Sequence, residues 1–186
     1  MKNAVLLHGC CDEAEFFGDG PSPSNSHWLP WVQKQLLMRG FDAQTPEMPR
    51  PYEPAYEDWK EVLARFPVGR QTTLIAHSCA TGFLLRWLAE THCTVGRVLL
   101  VAPWLDPHGV RGEFLRFRLD ASIAARTEAL AFLYSAEDTV EGVQESVAIL
   151  AQTFRDATFV RFEDKGHFTS TEKRSMALPE LLEMIA

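Results

Sequence analysis

Thr72-Thr73-Leu74-Ile75-Ala76-His77-Ser78-Cys79-Ala80 starts as an apolar, strand-like run and ends around a serine. Directly beyond it, Ala80, Phe83, Leu84, Trp87 and Leu88 recur at helical spacing. The stretch reads as strand, tight turn and helix, with Ser78 at the turn. Such a turn lifts a hydroxyl clear of a sheet and sets it over a helix amino terminus. The turn demands small residues two before and two after the serine. Glycine commonly fills both places, as Gly-x-Ser-x-Gly; here Ala76 and Ala80 do. Alanine adds one methyl and needs no positive φ, so the backbone strain falls on Ser78 itself. A serine that merely caps a helix after a buried strand has the same local pattern. The stretch therefore gains meaning only from partners elsewhere in the chain.

Outward from this stretch, residues 4–7, 98–102, 129–134 and 158–162 also read as strands, with a weaker one at 42–45. Residues 98–102 and 129–134 are apolar on both alternating faces, as strands buried within a parallel sheet are. Helical spacing appears at 28–39, 56–65, 79–90, 143–154 and 179–185. Asn25 or Ser26 suits the cap of the first, Gly40 suits its stop, and Pro179 suits the first turn of the last. Strands alternating with helices predict an α/β fold. The expected form is a doubly wound, mostly parallel sheet of about six strands with helices on both faces. Neither a repeat nor a composition shift divides the chain, so residues 1–186 are expected to form one domain. The loop at 45–54 carries four prolines and should be stiff. Residues 103–128 fit either a small cap or an irregular excursion.

Composition narrows the function classes. Of 186 residues 46% are hydrophobic, enough for a well-buried core. The formal net charge of −7 argues against nucleic acid, whose phosphates need clustered Lys and Arg. No apolar run is long enough for a membrane span. The residues following Met1 read as a first strand rather than a signal peptide. Cys10, Cys11, Cys79 and Cys93 form no CxxC pair, which argues against structural zinc. Adjacent Cys10 and Cys11 are badly placed to bridge each other. Free thiols in a reducing cytoplasm are expected.

A serine hydroxyl needs a general base to become a useful nucleophile. His167 follows the last expected strand in Glu163-Asp164-Lys165-Gly166-His167. Strand carboxyl ends are where open α/β sheets gather their sites. The base needs a carboxylate to hold its tautomer. Asp138, in Ser135-Ala136-Glu137-Asp138, lies beyond another strand end; Asp106 and Glu137 are rivals. Backbone amides should hold a developing oxyanion, one from Cys79 after the serine and one from Cys10 after His8-Gly9. Only those amides matter in this reading, not the thiols. His8 and His77 read as scaffold. Trp104 and Leu105, after a strand end, are candidate walls of a substrate pocket, and Phe16, Phe17 and Trp28 candidate borders of its mouth. Arg111, Arg116 and Arg118 read as a solvated face.

Several motifs now stand in register: His8-Gly9, Ser26-His27-Trp28-Leu29-Pro30-Trp31, Pro46-Glu47-Met48-Pro49, Ala76-His77-Ser78, Ser135-Ala136-Glu137-Asp138 and Gly166-His167. Over nearly its whole length the chain resembles the small serine hydrolases related to retinoblastoma-binding protein nine, within the α/β-hydrolase superfamily. The resemblance implies a compact hydrolase with little lid, no cofactor and a Ser78-Asp138-His167 triad. It implies a small-molecule acyl substrate, bonded as an ester, amide or thioester. No protein partner is indicated. Two other readings remain open: a binding module with little turnover, suggested by the altered elbow and by residues 103–128, and an acyltransferase.

Overall fold

The computed structural model describes residues 2–185. Six strands form one sheet: β1 (Asn3–Leu7), β2 (Asp42–Gln44), β3 (Thr72–His77), β4 (Val95–Val101), β5 (Thr127–Ser135) and β6 (Thr158–Phe162). Their order is β2-β1-β3-β4-β5-β6 and every pair is parallel. The helices are α1 (Glu13–Phe17), α2 (Leu29–Met38), α3 (Tyr56–Leu63), α4 (Cys79–Thr91), α5 (Val143–Thr153), α6 (Ser170–Lys173) and α7 (Pro179–Glu183). Among the described residues no helix is long and apolar enough to cross a membrane.

Two packed layers explain the apolar strands. Successive strand side chains point to opposite faces. On one face Val5, Leu7, Leu74, Ala76, Val98 and Leu100 pack with Trp59, Phe83, Leu84 and Leu150 of α3, α4 and α5. On the other, Ala4, Leu6, Ile75, Leu99 and Val101 pack with Leu29, Val32 and Leu36 of α2 and with Leu181 of α7. β3 is buried at all six positions, which accounts for the consecutive apolar residues Leu74, Ile75 and Ala76 on both its faces.

The expected helix at 28–39 starts differently from its sequence reading. Trp28 occupies the cap position and Pro30 the first turn. Ser26 turns back instead, its hydroxyl donating to the Pro21 and Ser22 carbonyls. Helices α1 and α6, of five and four residues, are too short to show an apolar period, so they escape a reading based on spacing. Of residues 103–128, those from 103 to 126 form an irregular crossover with two short 3₁₀ turns, Gly112–Leu115 and Ala121–Arg126, and the last two already belong to β5. Phe114 is buried with its ring centroid 4.9 Å from that of Trp59, and Ile123 is fully buried. Arg126 donates to the Leu88 and Cys93 carbonyls at the far end of α4. The segment covers the sheet by packing into the core.

The strand order positions the chemistry. From β1 the chain crosses to β2 on one side and then to β3 on the other. Beyond the carboxyl ends of β1 and β3 lies the switch point, where a doubly wound sheet opens a crevice. Leu7 pairs with Ala76, so residues 8–11 and Ser78 emerge side by side.

Candidate active site

Ser78 joins β3 to α4 with φ 56° and ψ −129°. A non-glycine residue in that region is strained, and the neighbours hold it there. Its amide donates to the Val101 carbonyl at 3.0 Å. Ala76 and Ala80 are fully buried, so the methyls that replace hydrogen on the usual glycines fit inside the core.

His167 reaches the serine from the loop after β6. Its Nε2 lies 2.8 Å from Ser78 Oγ and its Nδ1 lies 2.8 Å from Asp138 Oδ2. A carboxylate can only accept, so Nδ1 carries the proton and Nε2 accepts from the serine hydroxyl. The Asp138 side chain is fully buried at the end of β5. Its other oxygen accepts from the Val140 amide at 3.0 Å, a local turn that fixes the carboxylate. The rival acids are elsewhere engaged. Asp106 accepts from the Val110 and Arg111 amides, both at 2.7 Å, and Glu137 is exposed.

The loop bearing His167 is fastened at several points. Gly166 has φ 53°, and a Cβ there would come within 2.6 Å of the Glu172 side chain. Glu172 Oε2 accepts from the His167 amide at 2.9 Å and from the Thr169 hydroxyl at 2.7 Å. Thr169 Oγ1 in turn accepts from the Glu172 amide, which caps α6. The signal for this was Thr169-Ser170-Thr171-Glu172, the spacing of a capping box. His77 adds another fastening: its Nε2 donates to the His167 carbonyl at 2.8 Å. Burial first, and then the neighbouring His167 ring, hold the His77 imidazole well below its ordinary pKa, so it stays neutral. The Ser170 amide donates to His27 Nδ1 at 3.3 Å.

His8 is scaffold in this geometry. Its Nε2 accepts from the Met48 amide at 2.8 Å, so Nδ1 carries the hydrogen toward the Gly9 carbonyl, also at 2.8 Å. The proline-rich loop is thereby tied to the end of β1. Gly9 has a steric reason: a Cβ there would meet Ser78 Cβ at 2.8 Å. The loop after β1 thus rests directly on the serine turn. Neither the Cys10 nor the Cys79 amide meets an acceptor among the described residues.

The cysteine expectation is corrected here. Cys10 and Cys79 form a disulfide, with a Cα–Cα distance of 5.9 Å across 69 residues of sequence. The adjacency of β1 and β3 brings the two together, and chain spacing alone does not reveal it. Cys11 and Cys93 are free. Burial, reinforced by Glu15, Asp12 and Glu47, pushes the Cys11 thiol up to about 11.

A cavity of about 200 Å³ opens at Ser78 and His167. Its other walls include Cys10, Cys11, Ser26, His27, Leu29 and Thr169. Trp104 and Leu105 are not among them, contrary to the sequence expectation. After β4 the chain turns at Ala102 (φ 46°) and draws Trp104 toward α4 and α5. The Trp104 amide donates to Thr81 Oγ1, its indole donates to the Glu141 carbonyl, and the Leu105 amide donates to Ser146 Oγ. Trp28 is fully buried, its ring edge-on to His77, so it backs the site without bordering its mouth. Phe16 and Phe17 cluster with Tyr52 on the surface. Among the described residues no group of three His, Cys, Asp or Glu is placed to hold a metal ion.

A family model described as serine hydrolase matches residues 19–184. YdeN of Bacillus subtilis (strain 168) is 29% identical over 179 residues, spanning 92% of this chain and 88% of that protein. The crystal structure of the B. subtilis ydeN gene product superposes with a TM-score of 0.82 at 26% identity, covering 100% of this chain and 97% of that one. The esterase domain of a Rhodothermus marinus protein gives a TM-score of 0.67 at 18% identity, covering 100% of this chain and 86% of that one. The last is a likeness of fold.

Proposed function

Because the chain belongs to the serine hydrolase family, we propose that it hydrolyses a small ester-like acyl bond through Ser78, His167 and Asp138, by way of an acyl-enzyme. One observation carries this reading: the unbroken path Asp138 Oδ2–His167–Ser78 Oγ, with both hydrogen bonds at 2.8 Å.

The steps follow from the proton positions. His167 Nε2 takes the Ser78 proton as Oγ attacks the acyl carbon. The imidazolium that results is stabilised by the buried Asp138 carboxylate. The carbonyl oxygen gains charge and is held by the Cys10 and Cys79 amides, at the loop after β1 and the start of α4. As the tetrahedral intermediate collapses, Nε2 returns its proton to the departing oxygen, nitrogen or sulfur. Water then enters, gives a proton to Nε2 and attacks the acyl-serine. The acid departs and Ser78 recovers its hydrogen.

The cavity supports a short acyl group. At about 200 Å³ it lies below the range of roughly 300–1,000 Å³ typical of drug-sized ligands. The Rhodothermus marinus neighbour is an esterase domain, which agrees with ester chemistry. The two supports of a binding-module reading have packing explanations, since the elbow alanines fit the core and residues 103–128 cover the sheet.

The test is labelling with a fluorophosphonate, followed by turnover of p-nitrophenyl esters of increasing acyl length. Labelling at Ser78 is expected, with acetyl and butyryl esters turned over faster than octanoyl. A folded protein that is never labelled at Ser78 would refute the reading. Free acid must be the product even with an added alcohol or thiol acceptor; an acyl-acceptor product would make the protein a transferase.

A further inference from the structure

Two amides that share one oxyanion must keep a fixed separation, because hydrogen bonds weaken within tenths of an ångström of their best length. Here those amides belong to segments far apart in sequence. One follows β1 and the other opens α4. The Cys79 side is rigid: that residue is 1% exposed in the first turn of a 13-residue helix. The Cys10 side is held from one direction: His8 is buried, Gly9 lies against Ser78, and Cys10 itself packs against the core. Beyond it, residues 12–15 are exposed, and α1 buries none of its side chains. Packing therefore braces the second donor from the β1 side alone. The side chains of those same two residues are joined to each other, with Cα atoms 5.9 Å apart.

We propose that the Cys10–Cys79 disulfide is a positioning element of the oxyanion hole, and that its reduction lowers turnover while leaving substrate affinity and the triad in place. This rests on the hydrolase reading above. The bond fastens a loop whose far side is exposed to a rigid helix, at the one point where two donors must cooperate. Reduction takes two electrons and two protons from a small dithiol. The Sγ–Sγ bond breaks, two cysteine thiols form, and the reductant closes to its own cyclic disulfide. The neighbouring Cys11 does not disturb the pairing. Exchange needs a thiolate, and burial with three nearby carboxylates keeps Cys11 protonated at neutral pH.

The test compares the air-oxidised chain with the same chain reduced by dithiothreitol and desalted without oxygen. Alkylation and mass spectrometry count free thiols in each, expected as two and then four. Circular dichroism follows the fold. Steady-state kinetics on p-nitrophenyl acetate should show kcat falling by about tenfold or more on reduction, since a lost oxyanion donor costs on the order of 10²–10³. KM should stay within about twofold, because ground-state contacts are untouched. The pH midpoint of kcat/KM should not move, because His167 and Asp138 are unaltered. Reoxidation should restore kcat. A Cys10→Ser/Cys79→Ser variant should match the reduced protein and ignore reductant, whereas Cys93→Ser should respond like the parent.

The proposal is overturned if the folded, reduced protein keeps its kcat, or if the fully active protein carries four free thiols. It is also overturned if KM rises at constant kcat, or if reduction unfolds the chain, since the bond would then serve the fold and not the hole. An oxidised protein that turns over no ester and takes up no fluorophosphonate sinks the hydrolase reading and this proposal with it. An active protein indifferent to reduction sinks only this one.

Discussion

The imidazole of His77, one residue before Ser78, donates to the backbone carbonyl of His167 at 2.8 Å, so the serine turn itself holds the loop that carries His167. Motion of that loop would have to break a part-buried hydrogen bond at the end of β3. His77→Phe should lower kcat by on the order of tenfold through misplacement of the base. It should cost about 1–3 kcal/mol of stability, because the carbonyl loses its partner. Turnover and urea midpoints measured together check this, and His77→Gln, which keeps a donor, should recover part of both.

Asp138→Asn should cut turnover by about 10⁴ while the protein stays folded, since the amide no longer enforces the required tautomer. Asp106→Asn should do the opposite. Its carboxylate accepts two loop amides and has no contact with His167, so stability should drop by about 1–3 kcal/mol with kcat little changed. Kinetics on both variants decide the matter; a larger loss of kcat in the Asp106 variant would reverse the assignment of the acid.

Gly9→Ala should damage the site from the side of β1. The added methyl would lie 2.8 Å from Ser78 Cβ and 3.2 Å from the His77 carbonyl, and neither is the free end of a flexible chain. The loop must then lift, taking the Cys10 amide with it. A fall in kcat of about tenfold or more is expected, with a stability loss of roughly 1–3 kcal/mol. Fluorophosphonate labelling rates, compared before and after the substitution, report the effect at Ser78 directly.

Stability should fall as the solution is acidified below about pH 6.5. Burial, followed by the nearby His167 ring, lowers the pKa of both His77 and His27 in the folded protein. Their folded pKa values lie beneath the unfolded value. The stabilising contribution is therefore complete above about 6.5 and drains away as pH falls toward the folded values. His77, wholly buried, sets a slope of up to about 1.4 kcal/mol per pH unit. Urea midpoints across pH 5 to 7 test this, and His77→Phe should flatten the curve.

How much of this was legible in the sequence depends on the range of each interaction. β3, β4 and β5 announced themselves because central parallel strands are apolar on both faces, and Ser78, Asp138 and His167 each follow a strand end. Helix α6 was missed because four residues carry no period, although its Thr169-Glu172 cap was readable. The Cys10–Cys79 bond depends on which strands are neighbours, and nothing local to either cysteine encodes that. Trp104 was misplaced for a similar reason. The strand end was correct, but the turn at Ala102 and the hydrogen bonds to Thr81 and Glu141 send the indole away from the cavity.

The order of the three side chains along the chain has a consequence for synthesis. The serine is translated 89 residues ahead of the imidazole that would activate it. A nascent polypeptide can already have the strained turn, the helix beneath it and the core around β3, yet no internal base stands beside the hydroxyl. On the proposed reading, acylating power is then withheld on the ribosome until the loop after β6 has emerged and been secured, and a chain stalled before that point stays chemically silent.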